Sequence, residues 1–194
     1  MNQTLTLVTS QMSALAIEQV AMRTLATGGF PRIAAPDARV LILGSLPGLA
    51  SLAARQYYAQ PHNAFWRIMG ELFDAGPDVP YAERADRLRA SGIALWDVCR
   101  EAVRPGSLDA AIDLTTVVPN DFASFLREHP GIEWVCTNGA TAHRLYRRLV
   151  QPGLPVHAQA LPLHLLPSTS PAHASLYFAQ KLERWRLLER LLAA

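Results

Sequence analysis

Lysine is almost missing from this 194-residue chain: of its 18 basic side chains only Lys181 is a lysine, and the others are arginines. Schiff-base chemistry needs an amine, and Lys181 falls in what reads as a surface helix far along the chain, so a lysine-dependent lyase is not expected. Cysteine is nearly as scarce. Cys99 and Cys136 stand alone, with no C-x-x-C pair and no His/Cys cluster at zinc-ligand spacing. A four-cysteine iron–sulfur centre is therefore impossible within one chain. Both thiols lie in apolar runs, as buried free cysteines of a reducing compartment do. No uninterrupted apolar run approaches the roughly 18–20 residues of a membrane span. The N-terminus lacks the basic segment and clear apolar core of a signal peptide. Familiar fingerprints are missing too. There is no G-x-G-x-x-G and no P-loop lysine, and Ser45 follows its glycine directly instead of occupying the centre of G-x-S-x-G.

Half of the residues are hydrophobic, enough to bury a sizeable core in one domain. The net charge of +2 is unevenly spread. Residues 138–194 carry 7 basic and 2 acidic side chains, whereas residues 1–137 carry 11 and 14. A basic C-terminal third suits contact with phosphates; it equally suits a solvated helix surface.

Short apolar runs alternate with amphipathic stretches. Val40–Leu43, Ile93–Cys99, Ile132–Thr137 and Leu161–Leu166 read as strands, the last of uncertain register because of Pro162. Helical spacing appears over residues 11–26, Phe65–Phe73, 81–90, Asp121–Glu128, the stretch holding Ala142, Leu145 and Leu149, and Leu176–Leu192. Arg100–Asp113 reads as a polar loop. The alternation predicts an α/β domain, a three-layer α/β/α sandwich around a mainly parallel four-stranded sheet. Residues 1–27 read as a helical extension, with the domain proper over residues 28–194.

Two loops carry the chemistry. The first leaves the Val40–Leu43 run as Gly44-Ser45-Leu46-Pro47-Gly48 with Ser51, and continues through Gln56-Tyr57-Tyr58 to Pro61-His62-Asn63-Ala64-Phe65-Trp66. It lies past the carboxyl end of a buried strand, where open α/β sheets bind ligands. Glycines permit close backbone approach there, and aromatic faces beside an amide suit a flat, hydrogen-bonding ligand such as a nucleobase. One tyrosine is expected to face the ligand and the other to pack. Asn63 is also well placed as a helix N-cap. The second loop, Leu166-Pro167-Ser168-Thr169-Ser170-Pro171-Ala172-His173-Ala174, offers hydroxyls between rigid prolines. These suit phosphate contacts or a wedge pushed into a duplex; taken alone, they suit an ordinary turn before the last helix, with His173 solvated.

Together the two loops resemble those of the uracil-DNA glycosylase superfamily, most closely its hypoxanthine-DNA (deoxyinosine) glycosylase branch. Gly92-Ile93-Ala94-Leu95-Trp96-Asp97-Val98 and Gly106-Ser107-Leu108-Asp109 resemble that branch as well, and the similarity runs from about Gly29 to the C-terminus. The resemblance implies hydrolysis of the N-glycosidic bond of a deaminated base, hypoxanthine or uracil, after the base is flipped from DNA, as in base excision repair. It implies Asn63 as the catalytic residue, with Ser45 at the place where other branches hold an acid or an asparagine. Gly44, Leu46, Pro47, Gly48, Tyr57 and Tyr58 would bind the base. Ser51, Ser168, Thr169, Ser170 and His173 would contact DNA, His173 standing where relatives often show asparagine. It further implies no cofactor, no metal, DNA with deaminated bases as partner, no membrane, a monomer, and a cytoplasmic, nucleoid-associated location of bacterial type. Two other readings stay open. One is a module of the same fold that binds damaged DNA or a nucleotide without cutting, which Ser45 keeps in play. The other is an unrelated small-molecule hydrolase, disfavoured by the lack of a Ser-His-Asp pattern.

Overall fold

The computed structural model describes residues 26–194, and the helix expected over residues 11–26 lies outside that span but for its last residue. Ala26 and Thr27 instead enter strand β1 (Ala26–Gly28). The remaining strands are β2 (Val40–Gly44), β3 (Ile93–Asp97), β4 (Cys99–Val103), β5 (Val118–Pro119), β6 (Trp134–Asn138) and β7 (Leu163–Leu166). Four of them form a parallel sheet in the order β3-β2-β6-β7, and β1, β4 and β5 form a small antiparallel sheet. The expected α/β class and four-stranded parallel sheet are thus present.

Apolar alternation explains the layers. Every residue of β2 and β3 is buried, as strands covered on both faces must be. Val40 and Ile42 join one core cluster and Leu41 and Leu43 the other. On the first face pack α2 (Phe65–Phe73), α3 (Tyr81–Ala90), α7 (Phe178–Trp185) and α8 (Leu187–Ala193); on the second lie α4 (Phe122–Glu128) and α5 (Ala140–Leu145). Asp121 caps α4 by accepting from the Ser124 N–H at 2.9 Å. A short helix that the sequence reading lacked, α1 (Leu49–Ala54), follows the first loop directly, and α6 (Val156–Gln159) precedes β7.

Three expectations are corrected. The apolar run Ile93–Cys99 is not one strand. It ends at Asp97, and after Val98 the chain enters β4 in the other sheet, so part of the expected loop over Arg100–Asp113 is a strand. The turn between them is tied to the first loop: the Val98 N–H donates to the Gly44 carbonyl at 2.9 Å and the Cys99 N–H to that of Ser45 at 3.0 Å. The last strand begins at Leu163, because Pro162 has no N–H for a ladder and offers only its carbonyl to the Val135 N–H. The terminal helix is two helices meeting at Arg186, and Lys181 on the first of them is only 5% exposed.

Candidate active site

Register delivers the site. Gly44 is paired with Asp97, Leu43 with Thr137, and Asn138 with Leu166. The carboxyl ends of β2, β3, β6 and β7 therefore finish along one edge, and the loops that leave them enclose a cavity of about 540 Å³. That size falls within the roughly 300–1,000 Å³ of small-ligand sites. Residues 44–51, both tyrosines, Asn63, Asp97, residues 107–110, residues 138–141 and residues 168–173 line it.

The first loop is fastened from below. Arg104 is buried, and its guanidinium donates to the carbonyls of Leu46 (3.1 Å), Pro47 and Gly106 (3.2 Å). It lies 3.7 Å from Asp109. The Ser45 hydroxyl donates to Asp109 Oδ1 at 2.7 Å, and the Ser107 hydroxyl accepts from the Leu49 N–H at 3.0 Å. Gly44 gives room to its neighbours: a methyl group there would lie 2.2 Å from Asp97 Oδ1 and 2.9 Å from the Tyr58 hydroxyl, so those side chains would have to move. Gly44, Leu46, Pro47 and Gly48 all line the cavity. Ser51 lines it as well. It is buried, and its hydroxyl accepts from the Ala59 N–H at 3.2 Å, so it holds the tyrosine turn and leaves the set of expected DNA contacts.

The tyrosines divide the work. Tyr57 is buried edge-on against Phe30, with its hydroxyl directed at the Phe30 and Pro31 carbonyls. Tyr58 adopts a positive φ of 53°, an uncommon conformation for a side chain of this size. That turn stacks its ring on Phe65 at a centroid distance of 4.0 Å. Its hydroxyl, pointing at Gly44 and Asp97, has no hydrogen-bond partner among the described residues. Burial pushes both phenols well above the usual tyrosine range, and the nearby Asp97 adds to the effect.

Asn63 stands one residue before the helix cap, which is Ala64 and not Asn63 as the spacing predicts. It lines the cavity, and its Oδ1 accepts from the Phe65 N–H at 3.0 Å at the start of α2. The next residue ties the two loops together, since the Ala64 N–H donates to the Thr169 carbonyl at 2.9 Å.

The second loop is braced by β6 and α7. Asn138 Oδ1 accepts from the Thr169 N–H at 2.9 Å, and Asn138 Nδ2 donates to the Thr169 hydroxyl at 2.8 Å. Thr169 is buried, so it too is a brace and leaves the expected DNA-contact set. Gly139, at φ +93°, lets the loop close in; a methyl group there would lie 2.9 Å from Ser168 Cβ. Lys181 Nζ donates to the Ser170 carbonyl at 3.3 Å and Trp185 Nε1 to that of Pro167 at 3.0 Å. Ser168, Ser170 and His173 lie at the cavity wall, their side chains engaged in local turns with Ser170 N–H, Ala172 N–H and Ser175 respectively.

Asp97, Asp109, Arg104 and Asn138 were not named as site residues from the sequence. The signal for Asp97 was a lone carboxylate closing an apolar strand. Asn138-Gly139 reads locally as a turn, and nothing in the order of residues shows that its amide reaches 31 positions ahead. Burial raises both carboxyls. That of Asp97 reaches about 7, with Asp109 adding to the rise and Arg104 opposing it. Asp109 is raised as well, partly offset by Ser45 and Arg104. Among the described residues no group of His, Cys, Asp or Glu is arranged to hold a metal ion, and no helix is long and apolar enough to cross a membrane.

Comparison with known proteins agrees with this geometry. The sequence is 36% identical over 115 residues to a protein named hypoxanthine DNA glycosylase from Methanosarcina acetivorans, covering 59% of this chain and 72% of that one. A protein of the same name from Methanosarcina barkeri is 36% identical over 114 residues, covering 57% and 70%. The solution NMR structure of a protein provisionally described as a uracil DNA glycosylase, also from Methanosarcina acetivorans, superposes with a TM-score of 0.69 at 30% identity, over 86% of this chain and 98% of that one. The sequence model of the uracil DNA glycosylase superfamily matches residues 30–191, and the chain belongs to that superfamily.

Proposed function

We propose that this chain releases hypoxanthine from DNA, with uracil as a second base to be tested. It is a DNA glycosylase that excises deaminated bases by hydrolysing the N-glycosidic bond. The observation that carries the substrate reading is the cavity at the carboxyl ends of β2 and β3, where the Tyr58–Phe65 stack, the Asn63 amide and both loops meet.

A base reaches such a cavity only by leaving the stack, which costs a few kcal/mol and less at a mismatch. Tyr58 offers it an aromatic face, whereas Tyr57 supports the turn from within the core. The bond breaks through an oxocarbenium-like sugar, as in other glycoside hydrolyses. Asn63 does not titrate, so its work is to orient water and stabilise charge. Its Oδ1 keeps a lone pair beside the Phe65 N–H for that water. The Ser45 hydroxyl donates a hydrogen bond to Asp109, which makes it a support for the loop more than a group that meets water. Ser168, Ser170 and His173 face the strand, with the basic surface of Arg144, Arg147 and Arg148 available to phosphates. The sole lysine is occupied beneath the second loop, which favours simple hydrolysis to an abasic site. A monomer suffices for all of these contacts.

Oligonucleotides containing inosine, uracil or xanthine, incubated with the protein and then treated with alkali, test the reading. Inosine strands should break only after alkali, and Asn63→Ala should slow single-turnover release about a hundredfold. Near-wild-type release by the folded variant removes Asn63 from the mechanism, and a borohydride-trapped adduct removes simple hydrolysis.

A further inference from the structure

Hydrolysis sets a requirement that Asn63 does not meet. The attacking water must shed a proton as it bonds to the sugar, and an amide takes up no proton near neutral pH. Among the described residues, five titratable side chains line the cavity: Tyr57, Tyr58, Asp97, Asp109 and His173. Burial keeps both phenols protonated. Asp97 is 3% exposed, and its Oδ2 is enclosed without a partner. His173 stands on the outer loop, its Nε2 engaged with the Ser175 hydroxyl. Asp109 differs from the buried acid, since 40% of its side chain is open to solvent. It is the carboxylate that water can reach.

Two loops hold that carboxylate in place. Asp109 opens the 3₁₀ turn Asp109–Ala111 beyond β4. Its Oδ1 accepts from the Ser45 hydroxyl at 2.7 Å and lies 3.7 Å from the Arg104 guanidinium. Both contacts go to the same oxygen, so Oδ2 has no donor among the described residues. Arg104 is itself fixed by the carbonyls of Leu46, Pro47 and Gly106. An acceptor positioned in advance spares the reaction the cost of orienting it. The groups around it come from four elements. Arg104, just past β4, and Arg144 on α5 favour the carboxylate, whereas Asp97 at the end of β3 brings a like charge. Tyr58 from the turn before α2 and Cys99 of β4 are neutral. Burial raises the Asp109 carboxyl all the same, which makes its ionised form a stronger base than an ordinary aspartate.

We propose that Asp109 is a catalytic residue, the acceptor of the proton from the attacking water. The water oxygen bonds to C1′, the electron pair of the C1′–N bond leaves with the base, and the proton passes to Asp109 Oδ2. Asp109 then yields the proton through solvent to the departed base, so the carboxylate is regenerated and one water is consumed. The inference rests on the glycosylase reading above and divides its chemistry: Asn63 orients the water and Asp109 deprotonates it.

Single-turnover release from inosine-containing DNA, followed between pH 5 and 9, tests the assignment. Wild-type release should fall toward about tenfold per pH unit on the acid side, where the carboxyl is protonated, and level off above it. Asp109→Asn keeps an acceptor for Ser45 but takes no proton. It should be about a hundredfold slower at pH 8 and lose the acid decline. Asp109→Ala should regain at least about tenfold when formate replaces chloride at equal ionic strength, because a small carboxylate then accepts the proton; a merely structural residue is not rescued in this way. Melting curves show which variants are folded. Folded Asp109→Asn within about fivefold of wild type, an acid decline that persists in it, or folded Asp109→Ala that formate does not rescue overturns the proposal and leaves the glycosylase reading standing. If wild type releases no base from any strand at any pH, it is the glycosylase reading that fails.

Discussion

The two loops that form the cavity wall are secured in different proportions by charged and neutral groups. The 44–48 loop is gripped by charge. A buried guanidinium holds its carbonyls, a carboxylate holds Ser45, and the turn into β4 holds its first two residues. The 167–174 loop is held mainly by neutral donors, an amide from β6 and the Trp185 indole from α7, with one long bond from the Lys181 ammonium, and its outer hydroxyls close small turns of their own. Rigidity is concentrated where the base would sit, and the lighter bracing lies where a strand would pass. Pre-organisation matters most at the reacting centre, so damage to the first loop should appear in the rate and damage to the second in DNA affinity.

Arg104→Met tests the stronger grip. It leaves three carbonyls without their donor and Asp109 without its cation. The loss should be about 3 kcal/mol, lowering the melting temperature by about 10 °C. Base release from saturating DNA should fall sharply even well below that temperature. A variant that melts early yet keeps its maximal rate would erase the contrast between the loops. Thr169→Val is milder. It removes the acceptor of Asn138 Nδ2 at nearly constant volume, for a cost of about 1–2 kcal/mol. Its half-saturating DNA concentration should rise with little change in maximal rate, measured by single-turnover titration. Lys181→Met should be mildest, since its one bond is long and the methylene stem is retained. A stability change within about 1 kcal/mol and an affinity loss of a few-fold are expected. A large rate defect from either of the last two would mean that the second loop also shapes the reacting geometry.

The sequence made the parallel sheet legible because its strands are apolar on both faces, a pattern that short runs such as Val40–Leu43 announce unaided. The loops were legible because Gly, Pro, Ser and aromatic residues crowd there. Three things were not. Asp97 looked like the end of an apolar run, and its chemistry comes from what surrounds it in space: Gly44 one strand away and Tyr58 from a turn 39 residues earlier. The break at Val98 has no local signal, since Val and Cys suit either a continuing strand or a change of sheet. Lys181 sits among polar neighbours on α7, and only the fold turns that position inward against the second loop.

One residue, Val98, separates a strand of the parallel sheet from a strand of the antiparallel one. The seam between the two sheets thus runs directly behind the pocket floor, and neither can slide without dragging the other. Evolution toward a bulkier lesion would have to shave side chains such as Tyr58 or Asp97 and could not ease the backbone apart. Within this fold, the range of damage recognised is adjustable chiefly by substitution at the pocket lining.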